Sequence, residues 1–342
     1  MKLEGLFPTD RPLLVLAPMQ DVTDLAFWEV MNRYGGPDLY YTEYFRVYGD
    51  STPEKYILRS IQENPTGKPV IAQMIGQDLP ALERTARALQ KQKVAGIDLN
   101  LGCPAPIVCR KSAGGGLLKF PEKINAILTL LRNTVETAFT VKTRIGFDSE
   151  SEFDALLDLF SRHPIDLLTV HGRTVKEMYR AEVHYDRIAQ AVRCMPCPVV
   201  ANGNVLSAKS AQETVGVTGA RGLMVGRGAI RNPWIFTQIR ELYDRGEVTT
   251  RPSLRDLREY IGVLYRNTCP DGLSERHQVA KMKKYMNFIV QGVDENERFG
   301  HEIRRVSTEL EFFQICDRFL DRDGLFEDRL GPALVHPGSP RG

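Results

Sequence analysis

A single thiol closes a run of alternating residues. In Gly96-Ile-Asp-Leu-Asn-Leu-Gly-Cys-Pro104, apolar Ile97 and Leu99 alternate with Asp98 and Asn100 before a turn that carries Cys103. Gly102 leaves the backbone free on one side and Pro104 fixes it on the other, so the thiol is held just past a strand end. A cysteine met without context is most often a small buried hydrophobe; this placement favours chemistry. The glycine-rich Lys111-Ser-Ala-Gly-Gly-Gly-Leu-Leu118 that follows would let another molecule approach the main chain. Lys142, in Val-Lys-Thr-Arg-Ile-Gly146, lies inside a strand-like run, where an ammonium is costly unless it meets an anion or an electron-rich ring. His171 ends another run in Val-His-Gly-Arg-Thr174, and Gln73 ends a third and could hydrogen-bond a planar heterocycle. Two glycine turns, Val200-Ala-Asn-Gly-Asn-Val205 and Met224-Val-Gly-Arg-Gly-Ala-Ile230, offer bare backbone N–H groups for a phosphate, with Arg227 adding charge.

Strand-like runs fall at 13–17, 39–43, 70–73, 96–100, 139–143, 167–171, 199–201 and 222–225, with helical patterns such as 82–92, 123–132, 150–161, 185–193 and 208–215 between them. Strand–helix alternation predicts a parallel sheet, and eight units predict a closed (β/α)8 TIM barrel of the α/β class. The polar residues named above sit at the C-terminal ends of those runs, where barrel enzymes keep their active sites. The two glycine turns follow the seventh and eighth runs, the usual phosphate position of this fold. Cys103, Asn100, Lys142 and His171 would then converge on one mouth.

The bulk properties agree with such a protein. At 342 residues, with 42% hydrophobic and 26% charged residues, the chain reads as a soluble globular protein with a sizeable core. No apolar run approaches the ~20 residues needed to span a bilayer, and the first ten residues lack the apolar core of a signal peptide. Six scattered cysteines do not read as a disulfide framework, so a reducing cytoplasm is expected. A net charge of +2 leaves any polyanion-binding surface to local clusters of basic residues. The expected division is a barrel over residues 1–238, a small all-helical domain over 239–330 and a disordered tail over 331–342. In the helical part, Asn232-Pro-Trp234 reads as a helix start, Gly246 to Pro252 as a linker and Ser253-Leu-Arg-Asp256 as a capping box. Val279, Met282, Tyr285, Met286 and Ile289 form one apolar stripe, and Ile303, Val306, Leu310 and Phe313 a second.

These motifs together resemble the tRNA-dihydrouridine synthases. The resemblance is carried by Leu16-Ala-Pro-Met19 with Thr23-Asp24, Thr42-Glu43, Gln73, Gly96-x-Asp-x-Asn-x-Gly-Cys-Pro104 and Lys111-Ser112. It continues through Lys142-x-Arg144-x-Gly146, Val170-His-Gly-Arg-Thr174 with Tyr179, Asn202-Gly203, and Gly226-Arg-Gly-Ala229 with Asn232-Pro-Trp234. The motifs span nearly the whole barrel in order. The resemblance implies FMN across the barrel mouth, with Pro18, Met19, Gln73, Lys142 and His171 around its ring system and ribityl chain. Asn202, Gly203, Gly226 and Arg227 would hold its phosphate, with Asn204 beside them. NADPH would reduce the flavin, which would pass hydride to C6 of a uracil in tRNA. Cys103 would protonate C5 as general acid, a role that suits a thiol with a reference pKa of about 8.5. Asn100 and Arg173 would fix the uracil edge. Lys281, Lys284, Arg304 and Arg305 would contact tRNA phosphates, with no metal, no membrane and a monomeric protein expected.

The sequence departs from the family pattern at Asn204, where an acidic residue usually follows Asn-Gly, which leaves open how the polar chain of the cofactor is held. Cys109 lies close enough in sequence to Cys103 that a disulfide between them would silence the acid. Cys194-Met-Pro-Cys197 has redox spacing but no second pair to complete a zinc site. A flavin barrel acting on a free small molecule and a non-catalytic RNA-binding protein are the competing readings.

Overall fold

The computed structural model describes residues 3–269, 272–294 and 296–326; the expected disordered tail lies outside the described residues. Strands run at β1 (Leu13–Leu16), β2 (Tyr40–Tyr41), β3 (Phe45–Val47), β4 (Val70–Gly76), β5 (Gly96–Leu101), β6 (Ala138–Arg144), β7 (Leu167–His171), β8 (Val199–Asn202) and β9 (Gly222–Val225). All are parallel, in the order β1-β9-β8-β7-β6-β5-β4-β2, with β3 also on β4. A parallel bridge between Val15 and Leu39 brings β1 to the other edge. The result is a nearly closed eight-staved TIM barrel, as the alternation predicts. Its second stave is divided: β2 pairs with Val70 and Ile71, β3 pairs with Met74 to Gly76, and Thr42, Glu43 and Tyr44 form the break. The Thr42 hydroxyl accepts from Gln73 N at 3.0 Å and fills the gap in the ladder.

A helix follows each stave: Leu25–Arg33, Lys55–Gln62, Leu79–Leu89, Pro121–Thr134, Phe153–Ser161, Tyr185–Cys194, Ala208–Thr218 and Ile235–Arg245. Their starts obey local chemistry. Asp24 and Asp78 accept from Phe27 N and Ala81 N, and Ser207 forms a capping box with Ser210. Strand alternation gives the barrel two faces. Leu14, Leu16, Ala72, Met74, Ile97, Leu99, Val141 and Val170 share a core with the helices. On the opposite face, register aligns Gln73 with Asp98, Asp98 with Thr140, Asn100 with Lys142, and Arg144 with His171 and His171 with Asn202. The polar residues thus form rows inside the barrel, above a floor that includes Leu13, Val15, Tyr41, Ile71, Leu167 and Val200.

The helix Ile235–Arg245 begins three residues beyond Asn232, runs through residue 238, and ends at Gly246 in the left-handed region with φ 78°. Beyond it lie Leu254–Thr268, Glu275–Ile289, Arg298–Ile303 and Glu309–Leu320. The Ser253 capping box forms as expected, and the stripe from Val279 to Ile289 is buried. The second stripe does not lie on one helix. The chain breaks after Ile303 and restarts at a capping box between Thr308 and Glu311, which turns Leu310 out to 68% exposure and buries Phe312, Cys316 and Leu320. No helix among the described residues is long and apolar enough to cross a membrane.

Candidate active site

The C-terminal ends of the staves open into a cleft. Pro18 and Met19 after β1, Asn100 and Cys103 at β5, and Lys142 and Arg144 on β6 line it. His171 on β7, Asn202, Gly203 and Asn204 at β8, and Gly226 and Arg227 after β9 complete the ring. Among the described residues no aspartate or glutamate lines the cleft.

Cys103 stands on a turn held from three sides. The Asn100 Oδ1 accepts from Gly102 N and Cys103 N, both at 2.9 Å. Arg144 Nε donates to the Gly102 carbonyl at 3.0 Å, and Gly115 N to the Cys103 carbonyl at 3.0 Å. The glycine loop serves this turn rather than an incoming molecule: a Cβ on Gly114 would lie 3.0 Å from the Cys103 Cβ, and one on Gly115 2.9 Å from its carbonyl oxygen. Cys109 is a free thiol 3.5 Å from the same carbonyl, and Cys103 is free as well. Tyr44 lines the cleft with Cys103; burial first, then the neighbouring Cys103, pushes its phenol up to about 12.

The opposite end is cationic. Asn204 takes φ 50° and its Oδ1 accepts from Arg173 Nη2 at 3.1 Å and Arg227 Nη2 at 3.2 Å. An amide at this position bridges the two guanidiniums without neutralising them, which an acidic residue would do. The Arg144 and Arg227 guanidiniums lie 5.3 and 5.0 Å from the Tyr179 ring centroid. Gly203, at φ 132°, passes so close to Val183 that a Cβ would approach within 2.9 Å. An end rich in guanidinium groups and free of carboxylates fits a phosphate ester.

These charges set the state of their neighbours. Burial, followed by the charges of Arg144, Lys142, Arg173 and Arg227, holds His171 well below its ordinary range, so the ring is neutral at neutral pH. Arg173 Nη1 donates to His171 Nε2 at 3.2 Å, which places the ring proton on Nδ1. Lys142 is lowered to about 8 by burial and then by Arg144; its Nζ donates to Asn202 Oδ1 at 3.2 Å. Beneath it, burial raises Asp98 to about 7 against the bonds it accepts from Thr140 and Gln73 and the charge of Lys142.

The structure brings together at one cleft Pro18, Met19, Asn100, Cys103, Lys142, His171, Asn202, Gly203, Asn204, Gly226 and Arg227. Gln73 lies below the lining, with its amide bound to Asp98 and Asn100. Arg173 is 1% exposed and sits behind His171 and Asn204. Lys284, Arg304 and Arg305 are exposed, whereas Lys281 pairs with Asp24 at 3.2 Å. Sequence reasoning missed Tyr44 and Phe288, both of which line the cleft. Tyr44 follows the Thr42-Glu43 pair in the broken stave; nothing in the sequence points to Phe288, which comes from the helix Glu275–Ile289.

Comparison with protein families matches residues 15–322 to the family described as "Dihydrouridine synthase (Dus)". The chain belongs to the dihydrouridine synthase family. It is 30% identical over 321 residues to the tRNA-dihydrouridine(16) synthase of Ralstonia nicotianae, covering 91% of this chain and 97% of that one. It is 32% identical over 287 residues to the tRNA-dihydrouridine(16) synthase of Haemophilus ducreyi, covering 81% and 86%. The tRNA-dihydrouridine synthase B of Vibrio vulnificus is 35% identical over 253 residues, covering 70% and 74%. Among the described residues of this family member, no group of His, Cys, Asp or Glu could hold a metal ion.

Proposed function

We propose that this chain reduces the C5–C6 bond of uridine in tRNA, with FMN as its bound cofactor, NADPH as the source of electrons and Cys103 as general acid. The observation that carries the reading is the two-ended cleft: a free thiol on a fixed turn at one end and a carboxylate-free cationic cradle at the other.

Arg227 would hold the FMN phosphate together with the backbone at Gly203 and Gly226, while Arg173 behind them holds Asn204 in place. Pro18 and Met19 would offer an apolar wall to the ring system, and Lys142 and neutral His171 would supply its polar contacts. Bound there, FMN supplies the hydride for C6 of the base. Cys103 holds the proton that C5 needs, with Tyr44 beside it in the cleft lining. Asn100 fixes the turn on which that thiol stands. A uracil must leave its stack to enter, which costs a few kcal/mol and least where it is already unpaired.

The helices beyond the barrel are the tRNA-docking part, with Lys284, Arg304 and Arg305 exposed for phosphate contacts and Lys281 tied to the barrel through Asp24. The names of the Ralstonia and Haemophilus relatives support position 16 as the target. We place a monomeric enzyme in the cytoplasm, where its thiols remain reduced. Anaerobic incubation with FMN, NADPH and unmodified tRNA, followed by mapping of dihydrouridine, tests the reading. Dihydrouridine at one tRNA position and none in free uridine is expected. Flavin reduction with no product on any tRNA would overturn it, and product at a position other than 16 would overturn the site assignment alone.

A further inference from the structure

We propose that Asp98 is a positioning residue for Cys103, acting as the acceptor that ends a hydrogen-bonded chain through Gln73 and Asn100. The inference rests on the reading of Cys103 as general acid.

The direction of the chain follows from its two ends. The backbone N–H groups of Gly102 and Cys103 can only donate, so Asn100 must present its oxygen to them, at 2.9 Å. Its Nδ2 then donates to Gln73 Oε1 at 2.8 Å. That leaves Gln73 Nε2 to donate to Asp98 Oδ2, also at 2.8 Å. Asp98 Oδ1 accepts from the Thr140 hydroxyl at 2.5 Å. The two amides have nearly the same shape in either orientation, and only their partners hold them in this one. Gln73 and Asp98 are 0% exposed and Asn100 7%, so a turned amide would find no solvent in exchange. If Asp98 ceased to accept, Gln73 would lose its partner on that side. Reversal would then pass through Asn100 and place an NH2 group against the amide of Cys103.

An acceptor role and a charge role at Asp98 make different forecasts. Asp98→Asn keeps an oxygen for Gln73 if its NH2 donates to Thr140, whose hydroxyl can accept. Asp98→Leu keeps volume and removes the acceptor. With pre-reduced flavin and tRNA under anaerobic conditions, Asp98→Asn should reduce the base within about threefold of the wild-type rate. Asp98→Leu should be slower by about 10- to 100-fold, the range expected when a buried donor is left unmet. The amide of Cys103 in protein labelled with 15N-cysteine, assigned by its loss in Cys103→Ser, reports the turn without any turnover. That signal should be unmoved in Asp98→Asn and displaced in Asp98→Leu. Gln73→Met, which cuts the same chain at its middle, should displace it too and serves if the leucine variant does not fold. Equal losses in Asp98→Asn and Asp98→Leu would overturn the acceptor role in favour of charge, as would an unmoved Cys103 amide in Gln73→Met. If the amide moves as expected while Cys103→Ala still reduces tRNA, the positioning stands and the general-acid reading fails.

Discussion

The Tyr285 hydroxyl donates to the Val22 carbonyl at 2.9 Å, and this buried bond ties the helix Glu275–Ile289 to the loop that follows β1. The same loop carries Pro18 and Met19 into the cleft, and the same helix carries Phe288 there. Tyr285 also stacks on Phe27 at a ring separation of 5.8 Å, and Lys281 reaches Asp24 one turn away. The helices beyond the barrel therefore form part of the cleft wall. Tyr285→Phe leaves a buried carbonyl without its donor and should cost about 1–3 kcal/mol of stability. Denaturant unfolding reads this directly; a midpoint equal to wild type would show that the bond contributes nothing.

The basic residues of the helical region divide by their partners. Lys284, Arg304 and Arg305 are exposed, and replacing each by alanine should weaken tRNA binding. Each replacement should also flatten the salt dependence by about 0.7–0.9 in log–log slope, the share of one phosphate neutralised by one cation. Lys281 is half-buried against Asp24, so Lys281→Ala should lower thermal stability more than it changes that slope. Binding isotherms at several salt concentrations separate the two effects.

Much of this was legible in the chain itself. The eight apolar runs place the staves because each is short, bounded by turns and followed by a helical period. The Gly102-Cys103-Pro104 turn identifies the thiol for the same local reasons. Other features depend on contacts distant in sequence. Phe288 reaches the cleft only because its helix docks on the loop after β1. The stripe from Ile303 to Phe313 has helical spacing, yet the Thr308 capping box restarts the chain within it; Thr308-x-x-Glu311 was the available signal. Asn100 reads as a base-binding amide from its position, but its Oδ1 is taken by the Cys103 turn and one N–H of its Nδ2 by Gln73, which leaves one N–H of the amide for a base.

Glu43 should make stability depend on pH. It is 4% exposed, and burial followed by Asp24 and Asp21 raises it from 4.5 to about 7. The folded chain therefore holds a proton that the unfolded chain releases between those values. Stability from this group is present at low pH and is lost as pH rises through that window. Glu43→Gln keeps an acceptor for Val22 N, which Glu43 Oε1 meets at 3.3 Å, and removes the charge. Its melting temperature should exceed that of wild type at pH 8 by more than at pH 5. A constant difference across that range would exclude Glu43 as the source.

Arg227 and the phosphate end can be tested without turnover. Arg227→Gln should weaken FMN binding by about 10- to 100-fold, as expected for loss of a charged hydrogen bond, with riboflavin binding nearly unchanged. Titration followed by flavin fluorescence gives both constants. Equal weakening for FMN and riboflavin would place Arg227 away from the phosphate.

The most direct test of the account is single turnover with Cys103→Ala. Flavin is first reduced by NADPH without oxygen, and its reoxidation by unmodified tRNA is then followed. The variant should accept electrons from NADPH at the wild-type rate and should pass them to tRNA about 10²–10⁴-fold more slowly, the usual contribution of a positioned general acid. Reoxidation by tRNA at the wild-type rate, with dihydrouridine formed, would contradict the role given to Cys103.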